Sequence, residues 1–365
     1  MGPIQHLHGG NLRAAAAKYG LNPAEIIDFS ANINPLGPSP QAEKAIITAI
    51  PGMVHYPDPD CTELKKTLAA YLHLDIERLI AGNGAAELVY LLVNVVRPKR
   101  VLLPQPTFSE YEIAVVTGGG RVTDYPLSPE NGFQPAAGEI AAMLPEVDMV
   151  IICNPNNPTG ALIRKEELVT ILQEARNRQV TVIMDEAFID FVADRDNYST
   201  VALLRDFPNL FILYSLTKFF AIPGLRLGAG LGNPDLVSKM EMGRDPWNVN
   251  CFAQAAGVVS LQDEAYIKRS IGFIQQEKRY LYEQLGSIEG LRPFPPAANY
   301  VFIDIRAAGF TAPEMTDRLG RRGILVRDCS SYKNLDPYYI RVAVRTRTEN
   351  DKLIMTISDI IRSEK

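Results

Sequence analysis

Met149-Val150-Ile151-Ile152-Cys153-Asn154-Pro155-Asn156-Asn157-Pro158-Thr159-Gly160 is the stretch whose reading decides the fold. A short apolar run rich in β-branched residues reads as a buried strand. The two prolines and the closing glycine then make a rigid turn. Residues 165–178 follow, rich in Glu, Leu and Ala with apolar side chains at helical spacing, and 180–184 is again an apolar strand. Strand, helix and strand in alternation imply a mostly parallel sheet covered on both faces. The same kind of run recurs at 79–81, 100–103, 210–213 and 227–231. In such a sheet ligands bind at the carboxyl ends of the strands.

The pattern changes after about residue 260. A long helix over 264–285 precedes strands at 300–305, 324–327 and 339–344, and a last helix starts near Glu349. Gly286, Gly290, Pro293, Pro295 and Pro296 break the chain between them. The expected fold class is α/β: an N-terminal arm (1–45) serving the substrate site and the small domain, a large domain (46–262), and a smaller α+β domain (263–365).

At 365 residues the chain has room for roughly two domains and a core that needs no disulfide. A formal charge of −5, with no basic cluster, excludes the usual footprint of a nucleic-acid partner. No apolar run approaches the roughly 20 residues that span a bilayer, so no membrane association is expected. The start, Met1-Gly2-Pro3-Ile4-Gln5-His6, shows no secretory leader. Cys61, Cys153, Cys251 and Cys329 are scattered, and with four histidines they form no metal-ligand pattern. They read as reduced thiols of a cytoplasmic protein.

Chemistry concentrates in four places. Ser215-Leu216-Thr217-Lys218-Phe219-Phe220 follows a strand and leads to Gly224-Leu225-Arg226-Leu227-Gly228. A lysine among aromatics loses solvation, which favours its neutral, nucleophilic amine. The hydroxyls of Ser215 and Thr217 and the fork of Arg226 complete a site for a phosphorylated aldehyde. Second, the buried strand before Glu186 ends in Asp185, an acid that needs a partner. Third, Gly82-Asn83-Gly84-Ala85-Ala86-Glu87 imitates a dinucleotide turn without its third glycine, and no acid for a ribose lies between Leu88 and Ser109. A single phosphate on the helix N-terminus fits better. Fourth, Arg327 and Arg341 lie inside strands and require anionic partners.

These motifs resemble those of the fold-type I pyridoxal-phosphate enzymes, in which a lysine matching Lys218 carries the cofactor. The resemblance covers essentially the whole chain. It implies that Gly84, Ala85, Ala86, Ser215, Thr217 and Arg226 meet the cofactor phosphate region, that Phe108 stacks on its ring, that Asn157 bonds its phenolic oxygen, and that Asp185 pairs its ring nitrogen. Many aminotransferases carry Tyr where Phe188 stands here. Tyr56, in His55-Tyr56-Pro57-Asp58-Pro59, resembles a tyrosine that reaches the cofactor phosphate of a neighbouring subunit, which implies a homodimer with shared sites. Arg341 matches the arginine that binds the substrate carboxylate.

Within this superfamily the chain resembles the L-threonine-O-3-phosphate decarboxylases of cobalamin biosynthesis. The resemblance rests on His8-Gly9-Gly10-Asn11, Asp28 through Gly37, Asp185-Glu186-Ala187-Phe188-Ile189-Asp190-Phe191 and the lysine segment. It implies that His8, Asn32 and Arg327 hold the phosphate of a small phosphorylated amino acid. Histidinol-phosphate aminotransferases share several of the same stretches and give the second reading. A regulator or scaffold on the same fold is the third, favoured only if the cofactor does not bind.

Overall fold

The computed structural model describes residues 9–363. The chain enters through a helix, Leu12–Tyr19, and a two-residue strand, β1 (Ile27–Asp28). A seven-stranded sheet follows, made of β2 (Leu79–Gly82), β3 (Arg100–Gln105), β4 (Arg121–Pro126), β5 (Met149–Cys153), β6 (Thr181–Asp185), β7 (Leu210–Ser215) and β8 (Gly228–Leu231). Its spatial order is β2-β8-β7-β6-β5-β3-β4. Every neighbouring pair is parallel except those made by β8, which runs against both β2 and β7.

The expected strands at 100–103, 180–184, 210–213 and 227–231 are present within a residue or two of the positions read, and that at 149–153 matches. Two features differ from expectation. β8 is reversed because the link from β7 holds only one helical turn, Leu216–Phe219, and a short 3-10 turn, too little for a parallel crossover. β4 was not expected. It is an edge strand whose Arg121-Val122-Thr123-Asp124 face is partly solvated, so its sequence lacks a continuous apolar run.

Both sheet faces are covered, as the alternation requires. Along β5, Val150 and Ile152 enter one core while Met149, Ile151 and Cys153 enter the other. The second core packs under the helix Ala85–Val96, through Leu88, Val89, Leu92 and Val93.

Beyond the long helix Glu264–Gly286, a second sheet is built from β9 (Arg292–Pro293), β10 (Tyr300–Asp304), β12 (Arg327–Asp328) and β13 (Tyr339–Ala343), in the order β12-β13-β10-β9 and antiparallel throughout. The run 324–327, expected as one strand, divides. β11 (Ile324–Leu325) leaves this sheet and pairs in parallel with β1, Ile27 opposite Ile324. The arm continues this pairing: Phe29 N–H donates to Leu325 O, and Ala343 N–H donates to Phe29 O, both at 2.8 Å. The final helix spans Arg347–Arg362. Among the described residues no helix is long and apolar enough to cross a membrane, and the four cysteines are free.

Candidate active site

A cavity of about 390 Å³ opens where the carboxyl ends of β5, β6 and β7 meet the arm and the second sheet. Its wall includes Asn32, Ala85, Ala86, Phe108, Asn157, Asp185, Ser215, Thr217, Lys218, Arg226, Arg327 and Arg341, which were all singled out from the sequence. Gly84 lies just behind the wall. Tyr56 lies outside it, 77% exposed and stacked on Trp247 with ring centroids 4.3 Å apart. His8 falls outside the described residues.

Lys218 owes its place to the end of β7. Ser215 Oγ accepts the Thr217 N–H at 3.3 Å and starts a single turn, while Thr217 Oγ1 donates to Leu227 O at 3.1 Å. Asn34 braces the turn from behind: its N–H donates to Lys218 O, and its side chain to Phe219 O, Tyr266 Oη and Ser270 Oγ. Burial, then the charges of Arg341 and Arg226, lower the Lys218 pKa to about 8 against the opposing pull of Asp185. Such an amine is neutral in roughly a fifth of molecules near physiological pH, far more than an ordinary lysine.

Asp185 ends β6 almost fully buried. Burial raises its pKa, while hydrogen bonds from Tyr111 Oη and the Ala187 N–H pull the other way. The loop after β5 is held by its own amides. Asn154 exchanges hydrogen bonds with Ile163, and Asn156 reaches Pro106 O and Thr159 Oγ1. That leaves Asn157 facing the cavity. Its oxygen accepts from Arg341 and Tyr332, so among the described residues the amide –NH₂ is the end left to meet a ligand.

The helix Ala85–Val96 begins at the cavity with no side chain capping its N-terminus. Gly84 there has φ of 81°, and a Cβ on it would stand 2.2 Å from Arg226 Nη2. Gly228 is equally constrained, since its Cβ would lie 2.5 Å from the Ala85 nitrogen. Two glycines thus let an arginine and free backbone N–H groups converge, a cradle for one phosphate.

The second sheet brings two further cations to the wall. Arg341 is buried, donates through Nη2 to Ser30 O at 2.7 Å and through Nη1 to Asn157, and its Nε has no partner among the described residues. Arg327 contacts Ser331 Oγ at 3.3 Å and lies over the Tyr332 ring. Asn32 is buried, and among the described residues its side-chain oxygen has no partner. Orphaned polar atoms inside a cavity mark a place for a polar ligand.

Several wall residues escaped the sequence reading. Tyr111 and Glu110 come from the helix Glu110–Thr117, and Tyr332 from a loop. Tyr111 follows Phe108 by one turn and packs edge-on against it at 5.5 Å. That spacing was the available signal. Nothing in the sequence around Tyr332 marks it.

An amine of lowered pKa, a buried carboxyl, a phosphate cradle and an amide donor in one cavity match the amine-capturing carbonyl, ring nitrogen, phosphate and phenolic oxygen of pyridoxal phosphate. Comparison with known proteins agrees. The model of the family "Aminotransferase class I and II" matches residues 24–357, and the chain belongs to that family. Its cofactor is pyridoxal 5′-phosphate. The chain is 34% identical to the threonine-phosphate decarboxylase of Salmonella typhimurium over 97% of its length and 96% of that protein. It is 32% identical to the histidinol-phosphate aminotransferase of Methanosphaera stadtmanae, covering 98% of this chain and 96% of that one. Among solved structures, the histidinol-phosphate aminotransferase of Sinorhizobium meliloti in complex with pyridoxal-5′-phosphate superposes with a TM-score of 0.89 at 25% identity, covering 100% of this chain and 98% of that one. The chain is thus similar to fold-type I pyridoxal-phosphate enzymes, and its fold is theirs.

Proposed function

We propose that this protein decarboxylates L-threonine O-3-phosphate, releasing CO₂ and (R)-1-amino-2-propanol O-2-phosphate for cobalamin biosynthesis. The observation that carries the reading is the number of cations on the cavity wall. Arg226 stands at the phosphate cradle, and Arg327 and Arg341 reach the wall from the paired strands β12 and β13, with Asn32 also on the wall. Threonine phosphate brings two anionic groups of its own, a carboxylate and a phosphate, one for each arginine. His8 would join Asn32 and Arg327 on that phosphate.

Bound to Lys218, pyridoxal phosphate supplies an electron sink that weakens whichever bond at the substrate α-carbon stands perpendicular to its ring. The residues of this chain choose the bond. Arg341 would take the carboxylate, and Arg327 with Asn32 the phosphate, and together these fix the rotation about the α-carbon. Such positioning is worth orders of magnitude in rate. Asp185 would meet the ring nitrogen and stabilise its charge. Lys218 Nζ, freed when the substrate amine takes its place, would be placed to hold the proton that replaces the lost carboxylate at the α-carbon. Phe188, 6% exposed and packed edge-on to Tyr300, offers no hydroxyl to the phenolic oxygen.

A second reading, a histidinol-phosphate aminotransferase, is supported by the similarity to the Methanosphaera protein over nearly the full length of both chains. One pair of assays separates the two. CO₂ evolved from threonine phosphate supports the decarboxylase. Glutamate formed from histidinol phosphate and 2-oxoglutarate, without that CO₂, supports the aminotransferase.

We further infer a cytoplasmic homodimer in which Tyr56 reaches the cofactor phosphate of the other subunit. The division into an arm (1–45), a large domain (46–262) and a small domain (263–365) belongs to the same proposal. The pairing of β1 with β11 and the contacts of Phe29 support the arm's attachment to the small domain.

A further inference from the structure

Behind the cavity lies a buried polar cluster that the reaction does not use. Asp190, on the 3-10 turn Ile189–Phe191, is 4% exposed. One carboxylate oxygen accepts from Tyr214 Oη and the other from Arg195 Nη1. Arg195 also donates to Tyr71 Oη at 3.2 Å and lies over the Tyr71 ring. On its far side the cluster borders an open cleft, whose wall includes Asp190, Arg195, Tyr71 and Phe219.

The connections of this cluster matter more than its polarity. Tyr214 immediately precedes Ser215, the residue that starts the turn bearing Lys218. Asp190 belongs to the segment that leaves β6 through Asp185, Ala187 and Phe188, all three on the cavity wall. Phe191, next to Asp190, packs on Phe219, next to Lys218, with ring centroids 5.2 Å apart. The carboxylate therefore joins the strand end carrying the buried acid to the strand end carrying the lysine. A buried ion pair is weak evidence for stability, because apolar residues of like volume often serve as well or better. Fixing geometry is a role apolar side chains fill less well, since hydrogen bonds have direction and packing has little.

We propose that Asp190, held by Arg195 and Tyr214, is a positioning residue that sets the separation and orientation of Lys218 relative to Asp185 and Phe188. It touches neither cofactor nor substrate. The charged and titratable groups around it are Tyr71, Arg195, Tyr214 and Glu186. The proposal rests on the cofactor's identity and not on which reaction follows.

The test uses holoenzyme variants Asp190→Asn and Tyr214→Phe, each studied well below its own melting temperature. The first readout is the visible circular dichroism of the bound cofactor, which reports how asymmetrically the site holds it and needs no substrate. The second is the split of kcat against KM. Asp190→Asn is expected to weaken the visible dichroism per bound cofactor and to lower kcat about tenfold or more with KM within about threefold. Tyr214→Phe is expected to follow in the same direction. If Asp190→Asn does not fold, Tyr214→Phe decides. A lowered melting temperature with unchanged dichroism and kcat would overturn the proposal, leaving the cluster a purely structural one. Failure to turn over threonine phosphate in the wild type would instead count against the proposed reaction and leave the dichroism comparison standing.

Discussion

Lys218 meets two opposing demands, since it must lose its proton to attack a carbonyl and must carry one to give it up later. Its surroundings answer with a pKa of about 8, set by burial and by Arg341 and Arg226 against Asp185. Because the folded-state pKa lies below the ordinary lysine value, the neutral amine gains as pH rises through about 8 and is lost as pH falls below it. The rate at which cofactor-free protein captures pyridoxal phosphate should therefore climb roughly tenfold between about pH 7 and about pH 9, then level off. Stopped-flow absorbance would follow it, and a flat profile would contradict the lowered pKa. Lys218→Ala should abolish the visible absorbance of the bound cofactor; a retained band would sink the assignment of this residue. Lys218, Asp185 and Asn157 were legible in the sequence because each ends or follows an apolar strand, where a polar residue needs a reason. Tyr111 was not, because its partner Asp185 lies on another strand end that only folding brings near.

The elements show the same division. β5 and β6 could be read directly, β5 being apolar from end to end and β6 through Val182-Ile183-Met184. β4 could not, since an edge strand alternates and half of it looks like a loop. The direction of β8 was equally hidden: an apolar run reads the same either way, and only the short link from β7 reverses it. The loop at the start of the helix Ala85–Val96 was expected to hold a phosphate, but not the approach of Arg226 over Gly84 that closes the cradle. That approach gives a prediction at this scale. Gly84→Ala would place a methyl 2.2 Å from Arg226 Nη2 at a backbone φ of 81°. The strain, of order 1–3 kcal/mol, should fall on the cradle itself. Pyridoxal phosphate affinity should drop about tenfold or more in an equilibrium titration. An unchanged affinity would show that the arginine can move aside freely.

For the molecule as a whole, the segment 47–56 leaves Ile47, Met53, Val54 and Tyr56 exposed beside Trp247, with Val54 at 78%. Exposed apolar patches of this kind are where proteins meet partners. It is continuous with Tyr56, which has no place in the cavity of its own chain. Under the proposed shared-site dimer, Val54→Glu should shift the sedimentation equilibrium toward monomer and lower cofactor affinity with it. A variant that remains a full-strength dimer, or a monomer with undiminished affinity, would count against the arrangement. Composition held no hint of this, because the patch is a matter of which side chains folding leaves uncovered.

The pairing of Ile27 with Ile324 has a consequence for how the protein is made. A chain emerging from the ribosome exposes its arm long before the strand that receives it, with nearly three hundred residues between them. Contacts so far apart in sequence form late, once the ends have been brought together. The large sheet and the phosphate cradle are built from residues that come between the two, but the turn bearing Lys218 is braced by Asn34 of the arm. Until β11 and the strands after it are in place, the cleft lacks Arg327 and Arg341 and the partners that Phe29 and Ser30 find there. The groups proposed to select a substrate are thus put in place after most of those that would hold the cofactor.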